Sequence, residues 1–206
     1  MLLIGLTGGM ATGKSLVSTI LKELGAFIID ADKISREIVE PDKPAWFKIV
    51  EFFGRDILNS DMIINRKRLG EIVFNDPLKK KRLEEIIHPL VIEEENRRVE
   101  DYKRLNPDGM AVIDAALLIE AGGYRRVDKL IVVYADRKTQ LRRLMERDRL
   151  KKEEAEKRID SQLPLDEKVK MADFVVDNSA SKENTVRQVM DIFSKLKGLK
   201  TAVMKL

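Results

Sequence analysis

Cysteine is absent from all 206 residues. Disulfide scaffolds, thiolate zinc sites, iron–sulfur clusters and cysteine nucleophiles are therefore excluded together. Long apolar runs are lacking too, and none approaches the ~18–20 residues that a membrane span needs. The opening Met1-Leu-Leu-Ile-Gly-Leu-Thr has neither a basic flank nor a small-residue cleavage site, so it does not read as a signal peptide and a cytoplasmic setting is expected. No low-complexity tract and no internal repeat is visible. What is present is a chain of 44% hydrophobic and 36% charged residues, enough for one sizeable α/β core under an ionic surface. Lys and Arg number 39 against 35 Asp and Glu, a net +4. That mild bias suits a small anionic ligand and is too weak to argue for nucleic acid.

Five short apolar runs read as strands buried on both faces: Leu2–Leu6, Ala26–Ile29, Met110–Ile113, Lys129–Tyr134 and Phe174–Val176. Helical patterns between them predict a doubly wound parallel sheet. Leu16, Val17, Ile20, Leu21 and Leu24 form one stripe, with Gly25 placed as a helix terminator. A last helix is expected to open near Ser181. The core is expected in 1–30, 109–136 and 172–206. From Ala31 to Asp108 the interval is too long for a single crossover, and its helical segments (Ala31–Val39, Ala45–Phe53, Lys67–Phe74 and one from Asp76-Pro77) predict an all-helical insertion over one end of the sheet. Pro89 is expected to interrupt the last of these after His88. Trp46, Phe47, Phe52 and Phe53 are expected in that insertion's core. A second insertion, about 137–171, is basic. Its residues 137–158 hold ten basic and five acidic side chains and no aromatic one, which suits a lid over phosphates better than a base-stacking surface.

Gly8-Gly-Met-Ala-Thr-Gly-Lys-Ser15 matches G-x-x-x-x-G-K-[ST] between a predicted strand and a predicted helix. Glycines allow a tight turn whose N–H groups, with the helix N-terminus, present partial positive charge to phosphate oxygens. Gly8, Gly9, Met10, Ala11, Thr12, Gly13, Lys14, Ser15 and the adjoining Leu16 are accordingly expected to hold ATP. Lys14 would reach the β- and γ-phosphates and the Ser15 hydroxyl Mg²⁺.

Asp30 and Asp32 follow the second strand, at the sheet edge that faces a ligand crevice. Either could cap the next helix. In the functional reading one accepts the proton of an attacking hydroxyl and the other helps hold Mg²⁺. Asp32, further from the sheet, is taken as the base and Asp30 as the metal-side carboxylate. Neither the D-x-x-G nor the N-K-x-D pattern of a regulatory GTPase occurs. The chain is built like a small P-loop kinase.

From end to end it resembles the dephospho-CoA kinase family. The resemblance runs through Ile4-Gly-Leu-Thr-Gly-Gly9 with Gly13-Lys-Ser15, Ile29-Asp-Ala-Asp32, Asn65-Arg-Lys67 with Leu69 and Ile72-Val-Phe74, and Leu83-Glu84 with Ile87-His-Pro89. It continues through Leu117-Leu-Ile-Glu120, Arg147-Asp148 with Ala155, Arg158-Ile159 and Gln162, and Ala172-Asp173 with Asp177-Asn178. Ala116 stands where the family usually has proline. The resemblance implies transfer of the ATP γ-phosphoryl group to the ribose 3′-hydroxyl of dephospho-CoA, with Mg²⁺. It implies Lys14, Asp32 and Arg147 as catalytic, Arg147, Arg158 and Asn178 on ATP, and Asp32, His88, Leu117 and Glu120 on the acceptor. Partners are expected to be these small molecules alone, with no nucleic acid and no membrane, on a monomer or weak homo-oligomer. Another small-metabolite or nucleotide kinase, or an ATP sensor without turnover, are the other readings.

Overall fold

Apolar strands separated by helices can cover both faces of a sheet when the strands lie parallel, and the chain adopts this arrangement. The computed structural model describes residues 1–203, with side chains to residue 199. The last residues of the expected core segment, 204–206, lie outside the described residues. Strands β1 (Leu2–Gly8), β2 (Phe27–Asp30), β3 (Met110–Asp114), β4 (Lys129–Tyr134) and β5 (Phe174–Asp177) form a parallel sheet in the order β2-β3-β1-β4-β5. The central β1 sets the register: Leu6 lies opposite Asp114 of β3, and Gly8 opposite Val133 of β4. Several strands run further than their apolar stretches, ending on Gly8, Asp30, Asp114 and Asp177. Ladder pairing uses only backbone groups, so a polar residue can end a strand without leaving it. Carboxylates thereby come to lie at the C-terminal edge of the sheet, where α/β folds bind ligands.

The chain divides into two compact units, Met1–Ile29 with Asp101–Leu206, and Asp30–Glu100. In the first, α1 (Lys14–Glu23) and α9 (Lys182–Val203) cover the sheet. Val17, Ile20 and Leu21 pack with Ile4, Leu6, Ile131, Val133, Val189, Phe193 and Leu196 in one buried cluster. Gly25, at φ 101, ends α1: its N–H donates to Lys22 O and that of Ala26 to Leu21 O, each at 3.0 Å. This Schellman geometry satisfies carbonyls that the helix end leaves open. Ser181 opens α9 as expected, its Oγ accepting from Asn184 N–H.

The second unit holds α2 (Ala31–Glu37), α3 (Pro44–Phe53), α4 (Arg66–Phe74) and most of α5 (Pro77–Leu105). Trp46, Ile49, Ile57, Ile64, Leu69 and Ile86 form its core, and the Trp46 indole N–H donates to Met62 O at 2.9 Å. Phe53 packs there too. Phe47 and Phe52 do not, being about half exposed. Aromatic clustering in sequence overstated that core because α3 turns successive residues to different faces. Nor does Pro89 interrupt α5, which is continuous from Pro77 to Leu105. A proline inside a helix costs ~3 kcal/mol. Ile86 just before it is buried in the unit's core, with Leu83 and Ile87 packed against it, and full burial of one such side chain is worth about 1.5–3 kcal/mol. Further along α5, Glu94 is pushed down to about 2, first by its hydrogen bond to Arg97 and then by Arg98. Arg98 also pairs with Glu37 of α2.

Candidate active site

Between the end of β1 and the start of α1 the chain reverses in five residues, Gly9 to Gly13. Ala11 and Gly13 take positive φ, 58° and 87°. A side chain in that region is strained, a cost that folds accept mainly at working sites. Buried Thr12 closes the turn, its N–H and Oγ1 both donating to Gly9 O at 3.3 and 2.9 Å. The Thr12 carbonyl accepts from Asn178 Nδ2 at 2.7 Å and from Arg143 at 3.4 Å. In a trans peptide the N–H points opposite to the C=O. Tying the Gly9 and Thr12 carbonyls into the protein therefore turns the Met10 and Gly13 N–H groups the other way, to the face where α1 also begins. This makes a nest for an anion.

Lys14 opens α1 and its ammonium pairs with the Asp114 carboxylate at the end of β3. Asp114 is buried, 6% exposed, and Ser15 beside Lys14 is exposed. Asn178 is buried as well, and its Oδ1 accepts from Thr185 Oγ1 at 2.7 Å. Its amide is committed to the loop and to α9, so this residue, expected on ATP, shapes the phosphate turn from behind. Arg143 does the same, donating also to Asn178 O at 2.9 Å.

The basic segment forms α6 (Arg137–Asp148), α7 (Lys152–Asp160) and α8 (Leu165–Lys170). Asp136 caps α6, accepting from the N–H and hydroxyl of Thr139, both at 2.8 Å, and these bonds hold its carboxyl below the usual range. Gln140 and Leu144 bury one face of α6. The two arginines expected on ATP meet at one carboxylate. Arg147 grips Asp148 through two bonds at 2.7 and 3.1 Å, and Arg158 reaches it at 3.2 Å. That fork lowers the Asp148 carboxyl and raises the Arg147 guanidinium. Beside the phosphate loop lies a cleft of about 400 Å³, lined by Gly9, Met10, Gln140 and Gln162 among others. The Oε1 atoms of both glutamines find no hydrogen-bond partner among the described residues.

Asp30, Asp32 and His88 belong to the second unit. Asp30 caps α2, its Oδ1 accepting from Lys33 N–H at 2.8 Å. Asp32 is exposed in the first turn of that helix. His88 is exposed on α5. Leu117 is half exposed after β3, while the Glu120 carboxylate lies on Lys168 of α8. Sequence reasoning missed Asp114, Arg143 and Lys168. Asp114 had a signal, since four apolar residues ending in Asp at a strand's C-terminus is a common seat for a phosphate-side carboxylate. Arg143 and Lys168 were two among many basic residues.

A glycine turn of this build between a central parallel strand and a helix, its lysine held by a neighbouring strand's carboxylate, is the site of a P-loop kinase, a phosphotransferase that uses ATP. Comparison with known proteins is more specific. Residues 2–184 match the family model for dephospho-CoA kinase, and the chain belongs to the dephospho-CoA kinase family. It is 49% identical to the dephospho-CoA kinase of Geobacter metallireducens over 94% of this chain and 96% of that one. It is 45% identical to that of Shouchella clausii over 93% and 97%. Among solved structures it is similar to dephospho-CoA kinase from Campylobacter jejuni, with TM-score 0.72 and 32% identity over 95% of this chain and 97% of that one. Among the described residues, no helix is long and apolar enough to cross a membrane.

Proposed function

We propose that this chain transfers the γ-phosphoryl group of ATP to the ribose 3′-hydroxyl of dephospho-CoA, giving coenzyme A and ADP. The observation that carries the reading is the phosphate turn with its carbonyls tied back and Lys14 poised on Asp114, in a chain of this family. The N–H groups of residues 9–15 take the β- and γ-phosphates. Lys14 exchanges Asp114 for phosphate oxygens and offsets charge that builds on the transferred group. Asp32 accepts the 3′-hydroxyl proton as the oxygen attacks, and His88 and Leu117 line the acceptor's path. Arg147 and Arg158 leave Asp148 for the triphosphate, a partner that guanidinium forks fit equally well. Asn178 acts on the nucleotide through the loop.

The donor set fits Mg²⁺. A hard cation of this size takes few protein oxygens and keeps its other places for water and substrate phosphates. Ser15 Oγ and the Asp114 carboxylate are such oxygens, with Asp30 accepting hydrogen bonds from the cation's bound water. Among the described residues no group of three or more carboxylates or histidines could hold a cation unaided, in keeping with a metal that arrives with ATP. When bound it neutralises phosphate charge and lowers the barrier to transfer. The protein acts in the cytoplasm on these small molecules, without nucleic acid or membrane.

The test is ADP release measured in parallel with dephospho-CoA, nucleoside monophosphates and pantothenate-type acceptors, with the phosphate position in the product mapped. Turnover confined to dephospho-CoA and a 3′-phosphate product are expected. Faster turnover of another acceptor would assign a different kinase of this architecture, and ATP binding with no transfer would leave a sensor.

A further inference from the structure

Lys168, on α8, has no exposed surface. Lysines ordinarily lay the alkyl stem on the protein and keep the ammonium in water, because burying the charge is costly unless every donor is engaged. Here three donors meet three acceptors: Glu120 Oε1 at 2.7 Å, Ala116 O at 3.2 Å and Gly8 O at 3.4 Å. The acceptors come from two elements, the turn after β3 and the last residue of β1. Thr7 Oγ1 donates to the same Ala116 carbonyl at 3.1 Å, and Glu120 accepts the Leu163 N–H at 3.3 Å. One buried ammonium thus joins α8, the segment leading into it, the turn at 116–120 and the start of the phosphate loop.

Neutralising Glu120 would not require reaching two carbonyls. The Gly8 contact has its own consequence. The N–H of that peptide belongs to Gly9, and it must point away from the carbonyl that Lys168 holds. Gly9 O is held by Thr12, and Thr12 O by Asn178 and Arg143. The Gly8 carbonyl is then a third anchored carbonyl, and the Gly9 N–H a third donor turned to the anion face. We propose that Lys168 is a positioning residue for phosphoryl transfer: from α8 it fixes the first peptide of the phosphate loop and ties the C-terminal end of the basic insertion to it. Activity lost on changing it would come through the loop, since the ammonium itself is enclosed.

The inference rests on residues 8–15 holding the ATP phosphates. Three proteins are compared with wild type, Lys168→Met, Lys168→Met/Glu120→Gln and Lys14→Ala, by Tm and by kcat and KM for each substrate. Lys168→Met strands a carboxylate, so its Tm falls. The double variant removes that charge and keeps an acceptor for Leu163 N–H, so its Tm recovers. Its KM for ATP is nonetheless expected to stay raised by tenfold or more, the scale of a lost charged hydrogen bond. A double variant with native Tm and native KM for ATP would reduce Lys168 to a counter-ion and overturn the proposal. Hydrogen exchange on the wild-type protein provides a second measurement that needs no variant to fold. ATP with Mg²⁺ should slow exchange at 165–170 together with 8–15, and protection of 8–15 alone would refute the coupling. Lys14→Ala separates the two failures: native ATP saturation in that variant refutes the phosphate-loop reading itself.

Discussion

Replacing Gly13 by Ala tests the phosphate turn through stability, and the structure supplies both parts of the cost. At φ 87° a Cβ is strained by about 1–2 kcal/mol. The added methyl would also lie 2.1 Å from Asn178 Nδ2, far inside contact distance. That amide is no loose chain end, because Asn178 is 4% exposed and bonded to Thr12 O and Thr185. Moving it breaks two buried hydrogen bonds, each worth about 1 kcal/mol net and more if a group is left unpaired. The sum is about 3–5 kcal/mol, a large part of a typical folding free energy. Gly25→Ala supplies the control, for Gly25 has φ 101° and nothing within 4 Å of the added carbon, so it should cost only the strain, about 1–2 kcal/mol. With a urea slope of about 2 kcal/mol/M, the Gly13 variant should lose about 2 M in midpoint and the Gly25 variant under 1 M. Equal losses in the two variants would refute the claim that Asn178 is locked behind the loop.

Lys14→Ala should lower kcat by at least ~10²-fold in the coupled assay, because a point charge is lost where negative charge builds. Asp32→Asn should lower kcat by ~10²–10⁴-fold with little change in ATP affinity, and if Asp30→Asn does this instead, the two carboxylates have exchanged roles. Glu94 has its folded pKa depressed from 4.5 to about 2, so its contribution is full above 4.5 and disappears as pH falls towards 2. That displacement bounds the effect near 3 kcal/mol, and screening around the largely exposed Arg97 brings the expected value to about 1–2 kcal/mol. Glu94→Gln should accordingly flatten the loss of stability between pH 4.5 and 2, seen in denaturant midpoints across that range, and an unchanged slope would remove Glu94 from the acid transition.

The sheet was legible because parallel strands buried on both faces leave near-continuous apolar runs, and all five were found. The phosphate turn was legible because glycine spacing and lysine position are dictated by local backbone geometry. Illegible were the residues whose work depends on distant partners. Asn178 lies 166 positions from the carbonyl it holds and Lys168 lies 160 from Gly8, and nothing local marks such pairs. The proline in α5 misled for a related reason: its local cost is fixed, but the burial that outweighs it comes from tertiary packing.

The strand order also bears on how the chain reaches its fold. Edge strand β2 hydrogen-bonds to β3, yet about 80 residues intervene between them, and closing such a loop costs about 2 kcal/mol more than closing a ten-residue crossover. The intervening stretch is largely a compact unit with its own core. If it condenses first, the span left to close shrinks to the short segments at its ends, and the entropy of docking β2 falls with it. The insertion thereby also serves as an internal brace that makes a remote strand pairing local.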